Sequence, residues 1–396
     1  MANALRGADV LARTLERAGL TTVFTLSGNH IMAVFDAALG TGLRLIHVRH
    51  EGAAVHMADA WARLTGQCGI AMVTGGPGHA NAVGALVTAQ AAESPLVLLS
   101  GHAATAELGR GAFQELRQAD MAAPATKASW TARSAAELGQ DLARAVRIAT
   151  SGRPGPVHLS LPSDVLDELV DDDPSLWPQP AEFSPDAQPL PAAAAEAALT
   201  ALTAAERPLI LAGPALCTAP GRSLLARLEA ATGAPAIGME SPRGLNDPAL
   251  GAFAETVARA DLILLLAKPH DFTLRFAEPP FVDAACRLIV FDPDPALIER
   301  AAREKGARLI HRAVADPAAA AETLIARSAG KRRAPEGWRG EVEAALRYRP
   351  EAWRTLEGAG GGRLHPIEMC RAIAAVLEKH PDAVLVCDGG EIGQWA

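Results

Sequence analysis

Over the first two-fifths of the chain, apolar positions come in two alternating patterns. Short unbroken runs (TTVFTL, LRLIHV, GIAMVT, PLVLLS and GPVHLSLP) have the length and composition of buried strands. Between them, residues 31–39, 53–64, 80–92 and 136–149 carry apolar positions at helical spacing. Strands that are apolar on both faces must be covered on both faces, and the alternating helices supply the cover. The pattern predicts an α/β fold of consecutive doubly wound, mainly parallel sheets.

The alternation breaks at VDDDPSLWPQPAEFSPDAQPLP, which is rich in Pro and Asp and reads as an extended, exposed linker. We place a first unit at residues 1–168 and this linker at 169–191. A second alternation fills residues 192–330, with strands expected at PLILAG, APAIGM, LILLLA and RLIVFDPDP, and predicts a Rossmann-like central unit. KRRAPEGWRGE opens a second linker, residues 331–362. Residues 363–396 offer one helix, HPIEMCRAIAAVLEKH, one strand, AVLVCDGG, and a turn. These pieces cannot enclose a core, so they are expected to begin a domain whose remainder is absent from the chain.

A length of 396 residues suits two or three domains. With 49% apolar and 21% charged residues the balance is that of a globular protein. A net charge of −8 argues against nucleic acid as the partner. Cys68, Cys217, Cys286, Cys370 and Cys387 show no C-x-x-C spacing, which speaks against a structural zinc site or disulfide framework and fits a reducing cytoplasm. The N-terminal amphipathic stretch lacks a signal peptide's apolar core, and no run is long enough to span a bilayer. A cytoplasmic protein, away from membranes, is the expectation.

Candidate chemistry sits where strands run into helices. Glu51 follows LRLIHV and opens the next helix, with His50 before it. An acid in the first helical turn gains roughly 0.3–1 kcal/mol from the macrodipole, so Glu51 has an ordinary structural reading, and His50 reads as a cap or surface residue. In open parallel sheets, however, ligands bind outside the carboxyl ends of the strands, and Glu51 lies on that rim. The next strand ends in VTGGPGHAN, whose Gly75, Gly76 and Gly78 permit a tight turn and a close ligand. It is neither a dinucleotide fingerprint nor a P-loop, since G-x-G-x-x-G spacing and a Lys-Ser/Thr pair are both missing. Residues 111–129, GAFQELRQADMAAPATKAS, read as a long polar irregular loop, a kind of segment that is often functional.

In order, FTLSGNHIMAVFDA, RHEGAAVHMADAWAR, VTGGPGHANAVGALVTAQAAESPLVLLSG, FQELRQADMAAPATK and GRPGPVHLSLPSDV resemble landmarks of the pyrimidine-binding domain of thiamine diphosphate-dependent enzymes. The group resembled is that of acetolactate synthase, benzaldehyde lyase and oxalyl-CoA decarboxylase. ERPLILAGPA, ARADLILLLAK and VFDPDP resemble the family's central domain, and AVLVCDGGEIGQWA is similar to the opening strand of its diphosphate-binding domain. The resemblance implies thiamine diphosphate as cofactor and a catalytic role for Glu51, because the matching glutamate hydrogen-bonds a ring nitrogen of the aminopyrimidine and sets its tautomer. A glutamate suits proton sharing, since burial can raise a carboxyl toward neutrality; aspartate is one methylene short. By the same matching, Thr74, Pro77 and Asn81 line the aminopyrimidine site and Gln114 faces the substrate. Ser27 stands where benzaldehyde lyase has an active-site histidine and acetolactate synthase a proline, which leaves the substrate open. His30 reads as a helix-start histidine, and Lys127 reads equally as a solvated lysine or a contact to an anionic substrate.

The resemblance also bears on the C-terminus. The family holds the cofactor's diphosphate through Mg2+, using an Asp and an Asn about one helix and its loops apart. Only six residues follow Gly390. Gly390, Glu391 and Ile392 therefore match the turn against the diphosphate, and the Mg2+ ligands are expected beyond this chain, with no metal ligand within it. The implied activity is cleavage and formation of carbon–carbon bonds, as in 2-keto acid decarboxylation and carboligation, by a homodimer or homotetramer. Alternatives are acyloin cleavage, oxalyl-CoA-type decarboxylation, and a non-catalytic remnant used in binding or regulation. The chain is expected to be incomplete and inactive alone, as a truncated product or one half of a split enzyme. Lys268 in LLLAKPHDF stands where many relatives have glycine, so tightly bound FAD is not expected.

Overall fold

The structure is a computed structural model that describes residues 4–329, 335–358, 362–387 and 395. It opens with a short strand, β1 (Ala4–Arg6), and helix α1 (Gly7–Arg17). Then follow β2 (Thr22–Leu26), α2 (Met32–Ala37), β3 (Arg44–His47), α3 (Glu51–Thr65), β4 (Gly69–Val73), α4 (Pro77–Ala91) and β5 (Leu96–His102). Helix α5 (Gln118–Ala122), β6 (Ala128–Thr131), α6 (Leu138–Thr150) and β7 (Pro156–Pro162) complete a six-stranded sheet of order β3-β2-β4-β5-β7-β6. Every pairing in it is parallel, so all the carboxyl ends share one rim. The chain steps from β2 outward to β3 and then back past β2 to β4. Such a reversal leaves a crevice at the carboxyl ends of the two strands it separates.

Both faces of this sheet are covered. One packs on α1 and α6 through Leu11, Leu15, Met72 and Leu142. The other packs on α3 and α4 through Ala54, Ala58, Ala82 and Leu86. Small side chains let α3 lie close: a Cβ added to Gly69 would stand 2.2 Å from the Ala58 carbonyl oxygen. Strand β8 (Leu169–Asp171) pairs antiparallel with β1. The Pro- and Asp-rich segment after it is less exposed than its composition predicts. Leu176 is buried, Trp177 packs on the first core, and the Arg17 guanidinium lies 3.7 Å from the Trp177 ring centroid. Laying these large side chains on the core removes apolar area from water.

Strands β9 (Pro208–Ala212), β10 (Ala236–Gly238), β11 (Leu262–Leu266), β12 (Arg287–Asp292) and β13 (Leu309–Val314) form a second parallel sheet, of order β10-β9-β11-β12-β13. Its two faces carry separate cores. Neither β6 nor β13 was expected. Both are edge strands, half-buried and partly polar, so neither shows the unbroken apolar run of an inner strand. The helix expected near the C-terminus spans Pro366–Lys379, but the strand expected at AVLVCDGG does not form over residues 383–387. Val384 and Val386 are 84% and 87% exposed, and no described strand pairs with them, which a strand requires. No helix of the described residues is long and apolar enough to cross a membrane.

The carboxyl rim of the second sheet meets the amino rim of the first. Arg153, just before β7, donates from Nε to Asp292 Oδ1 at 3.1 Å and from Nη2 to the Ala267 carbonyl at 3.0 Å; it also pairs with Glu93, just before β5. The Glu93 and Asp292 side chains are 8% and 2% exposed. Removing one partner of a buried ion pair strands the other, at about 3–5 kcal/mol. Arg153→Met is therefore expected to lower the unfolding free energy by that order in urea titration; a change under about 1 kcal/mol would show that the clamp does not stabilise the fold.

Candidate active site

Glu51 is the first residue of α3, and His50 is its N-cap. His50 is extended, and its Nδ1 accepts the Gly52 N–H at 3.1 Å, so the cap reading of His50 is the observed one. Glu51 is half-buried. Its Oε2 accepts a hydrogen bond from Asn81 Nδ2 at 3.0 Å. A Cβ added to Gly78 would lie 3.4 Å from Glu51 Oε1 and 2.8 Å from Thr74 Cγ2. The carboxylate thus has one oxygen anchored on an amide and the other above a glycine floor.

That floor is the turn after β4. Gly76 takes φ +57°, which L side chains rarely adopt, and Pro77 begins α4, where its missing N–H goes unneeded. Gly28, after β2, closes on the same turn: its added Cβ would stand 2.4 Å from Thr74 Cβ. Strands β2 and β4 are the pair separated by the reversal in strand order. Gln114 enters from the loop before α5 with φ +56°, and its carbonyl oxygen would lie 2.6 Å from a Cβ on Gly76. Glu51, Thr74, Pro77, Asn81 and Gln114 therefore gather around one turn at the first sheet's switch point. Ser27 is exposed at its edge, with Oγ 3.3 Å from His47 Nε2. Gly390, Glu391 and Ile392 lie outside the described residues, as does Asp388.

Lys127 is elsewhere. It precedes β6 and so sits on the opposite rim, where Nζ donates to the Ile148 and Ser151 carbonyls at 2.5 Å and caps α6. Lys268, at the end of β11, is buried, with Nζ 2.5 Å from Thr273 Oγ1 and 3.7 Å from Asp271 Oδ1. A cleft of about 430 Å3 between the sheets is lined by Arg63, Met239, Glu240, Lys268 and Phe272, apart from the Glu51 rim. Among the described residues no group of three or more His, Cys, Asp or Glu is arranged to hold a metal ion.

Three polar residues near the turn were not singled out from the sequence as parts of a site. His30 is buried, its Nδ1 is 3.3 Å from Thr74 Oγ1, and its ring stacks on Phe113 with centroids 5.9 Å apart. Burial holds its pKa below the usual imidazole value. Gln118 is 1% exposed beneath Gly76. His79 is fully buried in α4, with Nδ1 2.9 Å from Ser100 Oγ and its ring 4.5 Å from that of His158. A histidine inside an alanine-rich helix, as in GGPGHANAV, is the one sequence signal that pointed inward.

The comparisons with known proteins fall on the same region. Residues 5–121 match the family described as "Thiamine pyrophosphate enzyme, N-terminal TPP binding domain". The whole chain aligns with 71% of a "Probable acetolactate synthase" of Mycobacterium bovis, at 30% identity over 404 residues. The chain belongs to the thiamine diphosphate-dependent enzyme family. An "Acetolactate synthase large subunit" of Parasynechococcus marenigrum is 32% identical over 416 residues, covering 99% of this chain and 64% of that protein. A "2-hydroxyacyl-CoA lyase 2" of Danio rerio is 44% identical over 160 residues, which is 40% of this chain and 26% of that protein.

The buried histidines give this family member a pH signature. Burial pushes His79 down to about 4 and His158 well below its ordinary value. Unfolded imidazoles titrate near 6.5. As pH falls from about 6.5 toward 4, the unfolded chain takes up protons that the folded chain refuses, so stability present above that window is lost within it. Between pH 7 and pH 5, His79 alone is expected to remove roughly 2 kcal/mol. Urea unfolding at the two pH values measures this, and His79→Phe should flatten the slope; an unchanged slope in that variant would refute the assignment.

Proposed function

We propose that the chain binds the aminopyrimidine of thiamine diphosphate at the first sheet's switch point, and that it breaks and forms carbon–carbon bonds beside a carbonyl, with a 2-keto acid as substrate. The observation that carries this reading is Glu51: a half-buried carboxylate at a strand's carboxyl end, anchored on Asn81 through one oxygen and open through the other. The cradle fits a flat heterocycle, because Gly28, Gly76 and Gly78 line it where a Cβ would meet Thr74, Gln114 or Glu51 itself. When bound, the cofactor supplies the electron sink that carbanion chemistry needs.

This chain's residues do the rest. Glu51 shares a proton with a ring nitrogen and so selects the tautomer. The Asn81 amide fixes which carboxylate oxygen does so. Thr74 and Pro77 shape the floor, and Gln114 meets the substrate from the loop above. Ser27, beside His47, is a polar contact at the substrate's outer edge. Gly390, Glu391 and Ile392 are assigned to the diphosphate end by the family resemblance. Mg2+ enters with the cofactor in this reading, and no step is assigned to it.

The reading implies a homodimer or homotetramer in which a second copy helps to close the site. Met57, Leu64 and Val87 on α3 and α4 are 39%, 86% and 55% exposed, which supports a covered face there. Tightly bound flavin is not proposed for the second sheet, where Lys268 stands at the carboxyl rim with its Nζ turned to Thr273. A second reading, acyloin cleavage or oxalyl-CoA-type decarboxylation, is favoured by His30, a buried imidazole between Thr74 and Phe113.

Calorimetric titration of thiamine diphosphate with Mg2+, together with pyruvate turnover, tests the proposal in the wild type and Glu51→Gln. The substitution should cut turnover by about 10²–10⁴-fold, the usual worth of a positioned proton-transfer group. It should cost under about 1 kcal/mol of stability, since only a first-turn charge is lost. Wild type that neither binds the cofactor nor turns over pyruvate would instead support a non-catalytic scaffold, and a variant that keeps full turnover would overturn the role given to Glu51.

A further inference from the structure

The glycine turn that floors the site is not held by its own strand. The Gly76 N–H points into the sheet, and the acceptor that satisfies it is Gln118 Oε1, at 2.8 Å. The same side chain donates from Nε2 to the Gly101 carbonyl at 3.0 Å and to Ser160 Oγ at 3.1 Å. One amide, 1% exposed, thereby joins the ends of β4, β5 and β7. Both of its N–H donors are used. Its backbone opens α5, directly after the loop that carries Gln114 four residues earlier, a loop tied to the sheet also by His102 Nε2, 3.0 Å from the Leu116 carbonyl.

We propose that Gln118 is the positioning residue that fixes the Gly75–Gly78 turn and, through it, the relation of Gln114 to Glu51. It touches no reacting atom; it acts through Gly76, whose added Cβ would stand 2.6 Å from the Gln114 oxygen. The hydrogen-bond directions below it form a consistent chain. Ser160 Oγ accepts from Gln118, so its proton is available to His158 Nε2 at 3.4 Å. With Nε2 accepting, the neutral imidazole carries its proton on Nδ1 and donates it to Ser129 Oγ at 2.8 Å. The amide therefore cannot flip without placing its carbonyl against the Gly101 oxygen and its NH2 against the Gly76 N–H. A buried, fully directed amide of this kind specifies one arrangement of three strand ends.

The role rests on the proposed function for its consequence in catalysis, but its test does not need the cofactor. Hydrogen exchange on the full chain reads the Gly76 amide directly. Gln118→Met, close in volume, should speed exchange at Gly76 at least tenfold while the β4 amides of residues 70–73 stay within twofold. Thiamine diphosphate affinity should fall about tenfold in the same variant. Ser160→Ala removes the orienting contact and keeps both backbone bonds of Gln118, so a several-fold faster Gly76 exchange is expected there even if Gln118→Met does not fold. Unchanged Gly76 exchange in both variants, or in Ser160→Ala where the other fails to fold, would overturn the positioning role. Faster exchange at Gly76 in Gln118→Met, with no cofactor bound even by the wild type, would sustain the positioning role and overturn the functional reading instead.

Discussion

Backbone groups at the carboxyl ends of parallel strands run out of ladder partners, and how this chain satisfies them fixes where everything else can go. A buried N–H or carbonyl left unpaired costs about 1–3 kcal/mol, so the rim of the first sheet must recruit side chains. It recruits Gln118 for Gly76 and Gly101, and His50 for the start of α3. With those groups satisfied from below and behind, the turn at Gly75–Gly78 presents bare glycine backbone outward. Glu51 stands over it from the first residue of α3 and Asn81 from the second turn of α4. The site is thus a by-product of capping: the residues that satisfy the backbone determine which face remains open.

Buried polarity beneath the rim follows the same economy. His79, His158, Ser100 and Ser160 occupy positions that an apolar core would fill at less risk, with half-buried Ser129 at their edge. Their hydroxyls and imidazoles bond one another, with the His79 Nε2 left without a partner among the described residues. Such a network contributes little net stability and penalises alternatives heavily. Keeping its histidines neutral ties the core to the pH range in which an imidazole sheds its proton willingly.

Much of this was legible in the sequence, and the exceptions share a cause. The inner strands β2, β4, β5 and β7, and β9, β11 and β12, are unbroken apolar runs because both faces are covered. Edge strands β6 and β13 are half covered, and ASWT and LIHRAV hide in polar context. Glu51 stood out because a strand-to-helix junction is visible in one dimension. His30 and Gln118 did not, because their meaning comes from Thr74, Phe113, Gly76 and Gly101, residues brought beside them only by the parallel crossover. Their segments, SGNHIM and QELRQAD, read as a helix start and a polar loop. AVLVC shows the converse: its apolar pattern is a strand's, and without a described neighbour to pair with it remains irregular and exposed.

The two sheets share a winding pattern and differ in what occupies the point where strand order reverses. In the second sheet that point lies between β9 and β11, and the protein braces it with its own side chains beside the cleft that Met239 and Lys268 line. Gly213 packs so closely on the strand ends that a Cβ would stand 2.1 Å from the Ala267 oxygen, and Arg153 reaches over from the other unit to take that same oxygen. Asp292 and Glu93 balance the guanidinium. In the first sheet the equivalent point, between β2 and β4, is floored with glycine and overlooked by a carboxylate with one oxygen uncommitted. Because the second sheet's carboxyl rim abuts the first sheet's amino rim, the first sheet's carboxyl rim is left facing outward. One topology thus serves as a joint in one place and as an open site in the other. The difference lies in a handful of side chains, which is why chemistry has to be argued from those side chains and not from the fold.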